Sequence, residues 1–288
     1  MSGKFYHSIL TYILKWLLIS FLLGFLGANL VFCLRLFIDY LRNIFSHSSL
    51  LTPLIGGLLV GLVIYYFDFR SAGLGTNRYI NYAKLNDKVK NPLKLLIAKF
   101  SNTGLTLGLM GVEGLVGPIL LMGSSLALVV EQLAAKLRLD FISQEKDYRV
   151  LSVCGAAAAL GPLLGAPIGS GIFASEVLYQ SSLDYDDLFP AILAGSFGFF
   201  FYKLFYQVSS IGYNIHLPEL KAEQILWVIG VALIAGLMGQ GVILVYSICR
   251  SYFENLSLSI VFKPVVAGLI VALLIKVFKF NQLVDKLK

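Results

Sequence analysis

The sequence predicts an all-α protein that crosses a membrane several times. The chain has 288 residues, of which 58% are hydrophobic and 14% charged, and its mean hydropathy is +0.81. Several apolar runs reach or approach the roughly 20 residues that a helix needs to span a bilayer. A transmembrane β-barrel would instead show short segments of alternating polarity. Because no soluble stretch is long enough to fold around its own core, residues 1–288 are predicted to form a single membrane domain.

The predicted helices follow the apolar runs in order along the chain. The first run is far longer than the apolar part of a signal peptide and lacks a small-residue cleavage site, so we expect it to remain as a membrane helix. Together the runs predict an integral, multi-pass protein of the plasma (inner) membrane. They cover about residues 9–41, 51–67, 91–110, 116–133, 148–180, 186–207, 222–250 and 258–280.

Basic residues predict the orientation of the first helices. The 42–52 connection carries only Arg42, which is typical of an external loop, and the N-terminus with Lys4 is then inside. The net charge of +7 is explained by membrane topology and does not indicate a nucleic-acid partner. The sequence does not decide on which side of the membrane the tail with Lys286 and Lys288 lies. The largest basic cluster marks a cytoplasmic loop and consists of Arg70, Arg78, Lys84, Lys88, Lys90, Lys94 and Lys99.

Two segments of the chain resemble each other. When residues 22–67 are aligned with residues 234–278, glycine, proline and tyrosine residues match at a nearly constant offset. These matches predict an internal repeat, with a first copy over 1–207 and a partial second copy over 222–288. Chance agreement between generic apolar helices is the alternative. The matching pairs are Gly24 with Gly236, Gly27 with Gly239, Tyr40 with Tyr252, Pro53 with Pro264, and Gly57 with Gly268.

The segment GVEGLVGP at residues 111–118 interrupts the apolar pattern. It holds three glycines, a proline and one carboxylate between two long apolar runs. A helix break at this depth leaves backbone amides without partners, which is tolerated only where the backbone is buried in protein or lines a cavity. The alternative is that its glycines only allow helices to pack closely, as small residues do in many membrane proteins.

Four stretches carry a resemblance to a known family. They are PLIGGLLVGLVIYYF (53–67), AGLGTNRYINYA (72–83), GLVGP (114–118) and CGAAAALGPLLGAPIGSGIFASEVLY (154–179). In this order they resemble the chloride channel and transporter (CLC) family, and the resemblance covers the whole chain. It implies a bundle of tilted and broken helices built from inverted repeats, of which the second is incomplete here.

The resemblance implies a pore in which half-helices direct their N-termini at chloride or another small anion. Such a helix end carries about +0.5 charge and up to about four unpaired N–H donors, which replace water around an anion. One half-helix would begin at 73–77 and another at 116–118, where Pro118 suits the first turn. The implied anion-binding residues are Gly73, Leu74, Gly75, Thr76, Gly114, Val116, Gly117 and Pro118.

Val116 occupies the position of the family's gating glutamate. The family motif of glycine, basic residue, glutamate, glycine and proline aligns without gaps on residues 114–118. A looser alignment would make Glu113 the gate, but it loses the proline, so Val116 is preferred as the gate position. In the preferred register we expect Glu113→Gln to have little effect.

The second proton station of the family's antiporters corresponds to Val177. Its neighbour Glu176 matches a structural position and is expected to tie the end of its helix by hydrogen bonds. No histidine replaces the lost carboxylates, since His7, His47 and His216 fall in tails or loops. Proton-coupled antiport is therefore not expected.

The first anion-binding motif also departs from the family pattern. Leu74 stands where serine or histidine is common, and Asn77 replaces proline, which puts anion selectivity in doubt. Thr76 and Asn77 are alternatively ordinary caps of the half-helix.

The family's second repeat continues beyond the point that this chain reaches at Lys288. The resemblance implies a further Gly-x-Phe-x-Pro half-helix and an anion-binding tyrosine there. Unless the gene is a remnant, we expect another copy of the chain or a partner chain to cover the pore from lipid.

Two functions follow from the resemblance. One is a passive anion channel or channel subunit without proton coupling, and the other is a non-conducting CLC-like membrane protein that needs a partner or acts in assembly.

Nothing in the sequence indicates an enzyme. It has no nucleophile and base pair, no metal-ligand spacing and no phosphate-binding loop, so neither a metal nor a cofactor is expected. Cys33, Cys154 and Cys249 lie in apolar runs without metal-type spacing and are expected to be buried.

Overall fold

The computed structural model describes residues 2–45, 51–84, 90–138, 145–178, 185–206 and 222–278, and the regular structure in these segments is entirely helical. This part of the chain forms ten α-helices and one short 3-10 turn at Phe69–Ser71. The α-helices are α1 (Ser2–Phe45), α2 (Thr52–Tyr66), α3 (Thr76–Ala83), α4 (Pro92–Gly108), α5 (Val116–Lys136), α6 (Glu145–Leu164), α7 (Pro167–Glu176), α8 (Tyr185–Tyr206), α9 (Ala222–Asn255) and α10 (Phe262–Phe278).

Four of these helices contain segments that are long and apolar enough to cross a membrane. α2 is also apolar, but its 15 residues are fewer than the roughly 20 of a full span. The prediction of an all-α, multi-pass membrane protein is confirmed. The four segments are Leu10–Phe45, Val116–Lys136, Asp186–Tyr206 and Ile225–Asn255.

All helices except α9 belong to one compact unit, and α9 is by itself a continuous helix of 34 residues. The core of the larger unit forms around α6, which packs against α1, α5 and α8. Small residues allow this approach, since a Cβ atom on Gly161 would collide with the carbonyl oxygen of Gly195, and one on Gly155 with that of Gly123. Close van der Waals packing of this kind holds helices together where lipid removes the usual hydrophobic driving force.

The apolar run predicted over 148–180 forms two helices. α6 ends at Leu164, Gly165 has a φ of 67°, and α7 begins with Pro167. Glycine adopts this left-handed conformation readily, and proline lacks an N–H but fits the first helical turn. These two residues break the run, so the prediction of an uninterrupted segment is corrected.

The basic cluster predicted as one cytoplasmic loop is spread over several elements. Arg78 lies in α3, and Lys94 and Lys99 lie in α4. Lys99 is 2% exposed and therefore does not belong to a solvated loop. Lys88 lies outside the described residues.

Ion pairs join three helices at one membrane face. They link the first third of α1 to the start of α6, and the start of α6 to the start of α8. Tyr148 of α6 also donates to Glu131, near the end of α5, at 3.1 Å. α1, α6 and α8 therefore run in the same direction and α5 runs in the opposite one. The ion pairs are Lys15–Asp147 at 2.8 Å, Lys146–Asp186 at 2.9 Å and Arg149–Asp187 at 2.9 Å.

α2 and α10 cross through reciprocal glycine contacts. A Cβ atom on Gly57 of α2 would collide with the carbonyl oxygen of Pro264, and one on Gly268 of α10 would collide with that of Pro53. The sequence repeat matches Pro53 with Pro264 and Gly57 with Gly268. A two-fold axis between two copies produces contacts that exchange in this way. The crossing therefore supports an inverted repeat.

The burial predicted for the cysteines holds for one of the three. Cys154 is buried, whereas Cys33 and Cys249 are exposed, so the prediction for these two is wrong. Of the histidines, His7 lies within α1 and not in a tail, while His47 and His216 lie outside the described residues.

Candidate functional site

Two glycines in left-handed conformations form the start of α3. Gly73 has a φ of 78°, and Gly75, the N-cap residue, has a φ of 95°. Residues with a side chain rarely adopt this conformation, which explains both glycines locally. The first hydrogen bond within α3 runs from the Tyr79 N–H to the Gly75 carbonyl at 2.9 Å. The amides of residues 76–78 therefore have no partner within the helix.

This start corrects the interpretation of Thr76 and Asn77 as capping residues. Both lie in the first turn of α3, and the N-cap position belongs to Gly75, which has no side chain. The hydrogen bond that a serine, threonine or asparagine cap supplies to the first amides is therefore absent at this helix.

The start of α5 likewise leaves backbone amides free. Leu115 is the N-cap residue and makes no side-chain cap bond. The first bond runs from the Ile119 N–H to the Leu115 carbonyl at 3.0 Å. The amides of Val116 and Gly117 therefore have no partner within the helix, and Pro118 lies in the first turn, where a helix needs no N–H donor.

The two helix starts contact each other through Gly75 and Gly117. A Cβ atom on Gly75 would lie 2.9 Å from the Gly117 carbonyl oxygen. A Cβ atom on Gly117 would lie 2.5 Å from the Leu74 carbonyl oxygen and 2.8 Å from Oγ1 of Thr76. Only glycine fits at either position, and the starts of α3 and α5 lie close together, with the carbonyl oxygens of Leu74 and Gly117 at the contact. Close packing and an anion site are thus compatible explanations of these glycines.

Gly73 and Gly114 do not pack against another element. No atom lies within 4 Å of the position that a Cβ atom would take at either residue. The positive φ of Gly73 accounts for glycine there. Nothing in the described structure explains a need for glycine at position 114.

The side chain at the predicted gate position is apolar and packed. Val116 is half-buried against the main hydrophobic core, as is Leu115 beside it. Leu74, in contrast, is 47% exposed. The first turn of α5 contains no acidic residue. The polar groups at the two helix starts are therefore backbone amides, the carbonyl oxygens of Leu74 and Gly117, and the side chains of Thr76 and Asn77.

A buried ion pair that the sequence did not reveal lies between these helix starts. The Lys99 ammonium of α4 donates to the Gly73 carbonyl at 2.7 Å and to Oε1 of Glu113 at 2.9 Å. The two side chains are 2% and 12% exposed. Glu113 lies before α5, as the preferred register places it, but its charge is paired, so the expectation that Glu113→Gln is silent no longer holds.

A helical spacing of polar residues is the signal that would have identified Lys99. The polar residues of α4 in this region recur with the period of one helix face. Within an apolar helix, such a stripe indicates a buried polar contact and not a cytoplasmic loop. Its members are Lys99, Asn102, Thr103 and Thr106.

The position of the second proton station lies at the end of α7. Val177 is the C-cap residue, and its N–H bonds to the Phe173 carbonyl at 3.1 Å. Glu176, the last residue of α7, is exposed, and its carboxylate accepts no hydrogen bond within the described ranges. The predicted role of Glu176 in tying the helix end is therefore not supported.

A model of one protein family matches nearly the whole chain. The family is described as voltage gated chloride channel, and the matches cover residues 4–144 and 138–284. The chain belongs to this CLC family. Membership confirms the resemblance that the four sequence stretches carried.

Curated relatives and solved structures agree with this assignment. An uncharacterized protein of Methanocaldococcus jannaschii is 26% identical over 285 residues, covering 95% of this chain and 64% of that protein. The voltage-gated ClC-type chloride channel ClcB of Shigella flexneri is 25% identical over 245 residues, covering 81% of this chain and 54% of ClcB. This CLC chain thus spans between about half and two thirds of the length of these relatives.

Two solved structures have the same fold. The crystal structure of a CLC-type fluoride/proton antiporter has a TM-score of 0.77 at 20% identity, over 91% of this chain and 65% of that one. The structure of a slow cyanobacterial Cl⁻/H⁺ antiporter has a TM-score of 0.72 at 19% identity, over 91% of this chain and 63% of that one. The CLC-like bundle of broken helices predicted for this chain is confirmed.

Proposed function

We propose that this CLC protein forms a passive pathway for chloride or a similar small anion in the plasma (inner) membrane, without proton coupling. The observation that carries the proposal is the contact between Gly75 and Gly117, which brings the starts of α3 and α5 together. Both starts have amides without intrahelical partners and lack side-chain caps. The proposed ligands are the backbone amides of residues 73–76, 114, 116 and 117. Pro118 has no N–H and contributes only to the first turn of α5.

Backbone amides suit an anion that must bind and leave quickly. The N-terminus of a helix carries about half a positive charge, and its free N–H groups point along the helix axis. Such groups replace part of the hydration shell of chloride without the strong binding of a full counter-charge. Backbone amides by themselves discriminate little among small anions. Leu74 and Val116 are apolar and add no polar group that could select one anion. In the proposal, the width of the path therefore sets the selectivity.

The absence of proton coupling is proposed from two positions. The two structural neighbours are antiporters by their titles, so coupled exchange is the competing function for this fold. Val116 and Val177 stand at the positions where the resemblance places the carboxylates of the antiporters, and valine cannot carry a proton. This difference favours passive conduction.

The proposal includes further protein around the pore. The relatives contain segments without a counterpart in the aligned part of this chain, since 64% and 54% of their lengths are covered. In the proposal a second copy of the chain or a partner chain lines the corresponding side of the anion path. Light scattering in detergent should give a protein mass well above the 31.7 kDa of one chain, and a conducting monomer would remove this part of the proposal.

Chloride efflux from liposomes tests the conduction itself. We expect the purified, folded chain to release chloride in the presence of an ionophore that carries the counter-charge. Gly117→Ala should reduce efflux strongly, because its Cβ would meet the Leu74 carbonyl at 2.5 Å. Gly169→Ala is the matched control, since the nearest atom to its Cβ lies at 3.4 Å. If the folded chain releases no chloride, the proposal fails and the non-conducting function is favoured.

A further inference from the structure

The Lys99 ammonium connects the two loops that precede α3 and α5. It is 2.7 Å from the carbonyl oxygen of Gly73, two residues before the N-cap of α3, and 2.9 Å from Oε1 of Glu113, three residues before the first residue of α5. Lys99 itself belongs to a third helix, α4. One buried side chain therefore holds both helix starts to a third element.

The pairing of the two charges follows from their burial. Taking an ammonium or a carboxylate out of water costs several kcal/mol unless an opposite charge lies close by. With 2% and 12% exposure, both groups need this partner. Removing either one alone leaves the other buried and uncompensated.

Glu113 depends on Lys99 more than a surface carboxylate would. Its second oxygen, Oε2, is buried and has no hydrogen-bond partner within the described part of the chain.

A second bond from α4 also holds the loop before α3. On the turn of α4 that follows Lys99, Asn102 donates to Oγ of Ser71 at 2.7 Å. Oδ1 of Asn102 and Oγ1 of Thr103 also lack partners among the described residues, and ordered water is the usual occupant of such positions.

The charge of Lys99 lies close enough to affect an anion at the helix starts. Consecutive Cα atoms are about 3.8 Å apart, so Gly73 is within about 8 Å of Gly75. A unit charge about 10 Å from an anion, at an effective dielectric constant of about 20, changes its affinity by a factor on the order of ten. In the wild-type chain, the carboxylate of Glu113 cancels most of this effect.

We propose that Lys99 and Glu113 form a charge clamp that positions the two helix starts and sets their affinity for the anion, an inference that rests on the proposed anion function. Lys99 attracts the anion and Glu113 weakens that attraction, so that the site binds the anion loosely. Both are positioning residues, since the ligands of the anion are the backbone amides.

Chloride titration by calorimetry on the purified chain tests the clamp. Glu113→Gln should tighten chloride binding about tenfold, because Lys99 is then uncompensated, and Lys99→Met should weaken it about tenfold. The double variant should return to within a few-fold of the wild type. Two residues with a merely structural role would shift affinity in the same direction. The matched controls are Lys15→Met and Asp147→Asn, which break another ion pair, at 2.8 Å between α1 and the start of α6, and should leave affinity unchanged.

Thermal unfolding of the same variants tests the pair independently of any anion. Each single variant should lower the unfolding temperature, and the double variant should be more stable than the sum of the two single effects predicts. Affinity shifts in the same direction, or additive effects on stability, would overturn the clamp. If the wild type binds no chloride while the stability coupling is present, the proposed anion function fails and the positioning role of the pair stands.

Discussion

Val116 decides which mechanism the proposed anion path follows. It is the first residue of α5, directly beside amides that have no partner within the helix. A carboxylate there would be stabilised by the helix dipole and would compete with an anion for the same donors. Valine neither competes nor exchanges a proton, so we expect the proposed path to stay open at all pH values at which the protein is folded.

Val116→Glu should convert the open path into a gated one. Chloride flux should fall on the order of tenfold at neutral pH and recover as the pH approaches about 4, where the carboxylate takes up a proton. The measurement is chloride efflux from liposomes over a pH series. Leu137→Glu is the control, because Leu137 is 71% exposed at the opposite end of α5, and the change there should have little effect. An unchanged pH profile for Val116→Glu would show that the register of GVEGLVGP is wrong.

At the scale of elements, glycine positions determine how closely the helices approach. The start of α3 meets that of α5 at Gly75 and Gly117, and α2 crosses α10 at Gly57 and Gly268. The sequence repeat matches the two glycines of the second pair, but the alignment alone did not predict that their helices cross there. The first pair lies in unrelated segments, and only the family resemblance placed them in one site.

Gly57→Ala and Gly268→Ala should destabilise the protein by similar amounts, about 1–3 kcal/mol each. The reason is that each added methyl group meets a backbone carbonyl of the other helix, which cannot move aside as a side chain can. Unfolding in detergent, followed by circular dichroism, measures the effect. Gly169→Ala should be neutral, since its nearest contact would be at 3.4 Å. A large cost at only one of the two positions would contradict the reciprocal crossing.

Most helices were predictable because a membrane helix requires a long apolar run, and such runs are visible in the sequence. The break at Gly165 was missed because small apolar residues continue on both sides of it and the hydropathy does not change. Lys99 was missed because a lysine near other basic residues was interpreted as a sign of topology. Its burial depends on Glu113 and Gly73, which a local pattern does not bring together.

At the scale of the whole molecule, ion pairs hold three helices together at one end of the helix bundle. Lys15, Asp147 and Asp187 are held at the same membrane face, together with the starts of α6 and α8. Each of the three basic side chains there is paired with an aspartate, so these contacts leave no excess of positive charge, and the orientation of α1 stays a prediction from the basic residues of the sequence.

Cysteine labelling should confirm the orientation. In a background without Cys33, Cys154 and Cys249, Ser46→Cys should react with an impermeant reagent from outside the cell. Asn86→Cys should react only after the membrane is opened, because its segment carries the positive charge that stays inside. Ser46 and Asn86 both lie outside the described residues. The opposite labelling pattern would reverse the topology.

Simultaneous recording of chloride and proton movement in liposomes tests the central claim most directly. We expect chloride to leave down its gradient while the proton signal equals that of protein-free liposomes, and the rate to change little between about pH 5 and 8, because neither Val116 nor Val177 titrates. Protons driven against their gradient in a fixed ratio to chloride would contradict passive conduction. Loss of that proton movement in Glu113→Gln would then identify Glu113 as the coupling carboxylate.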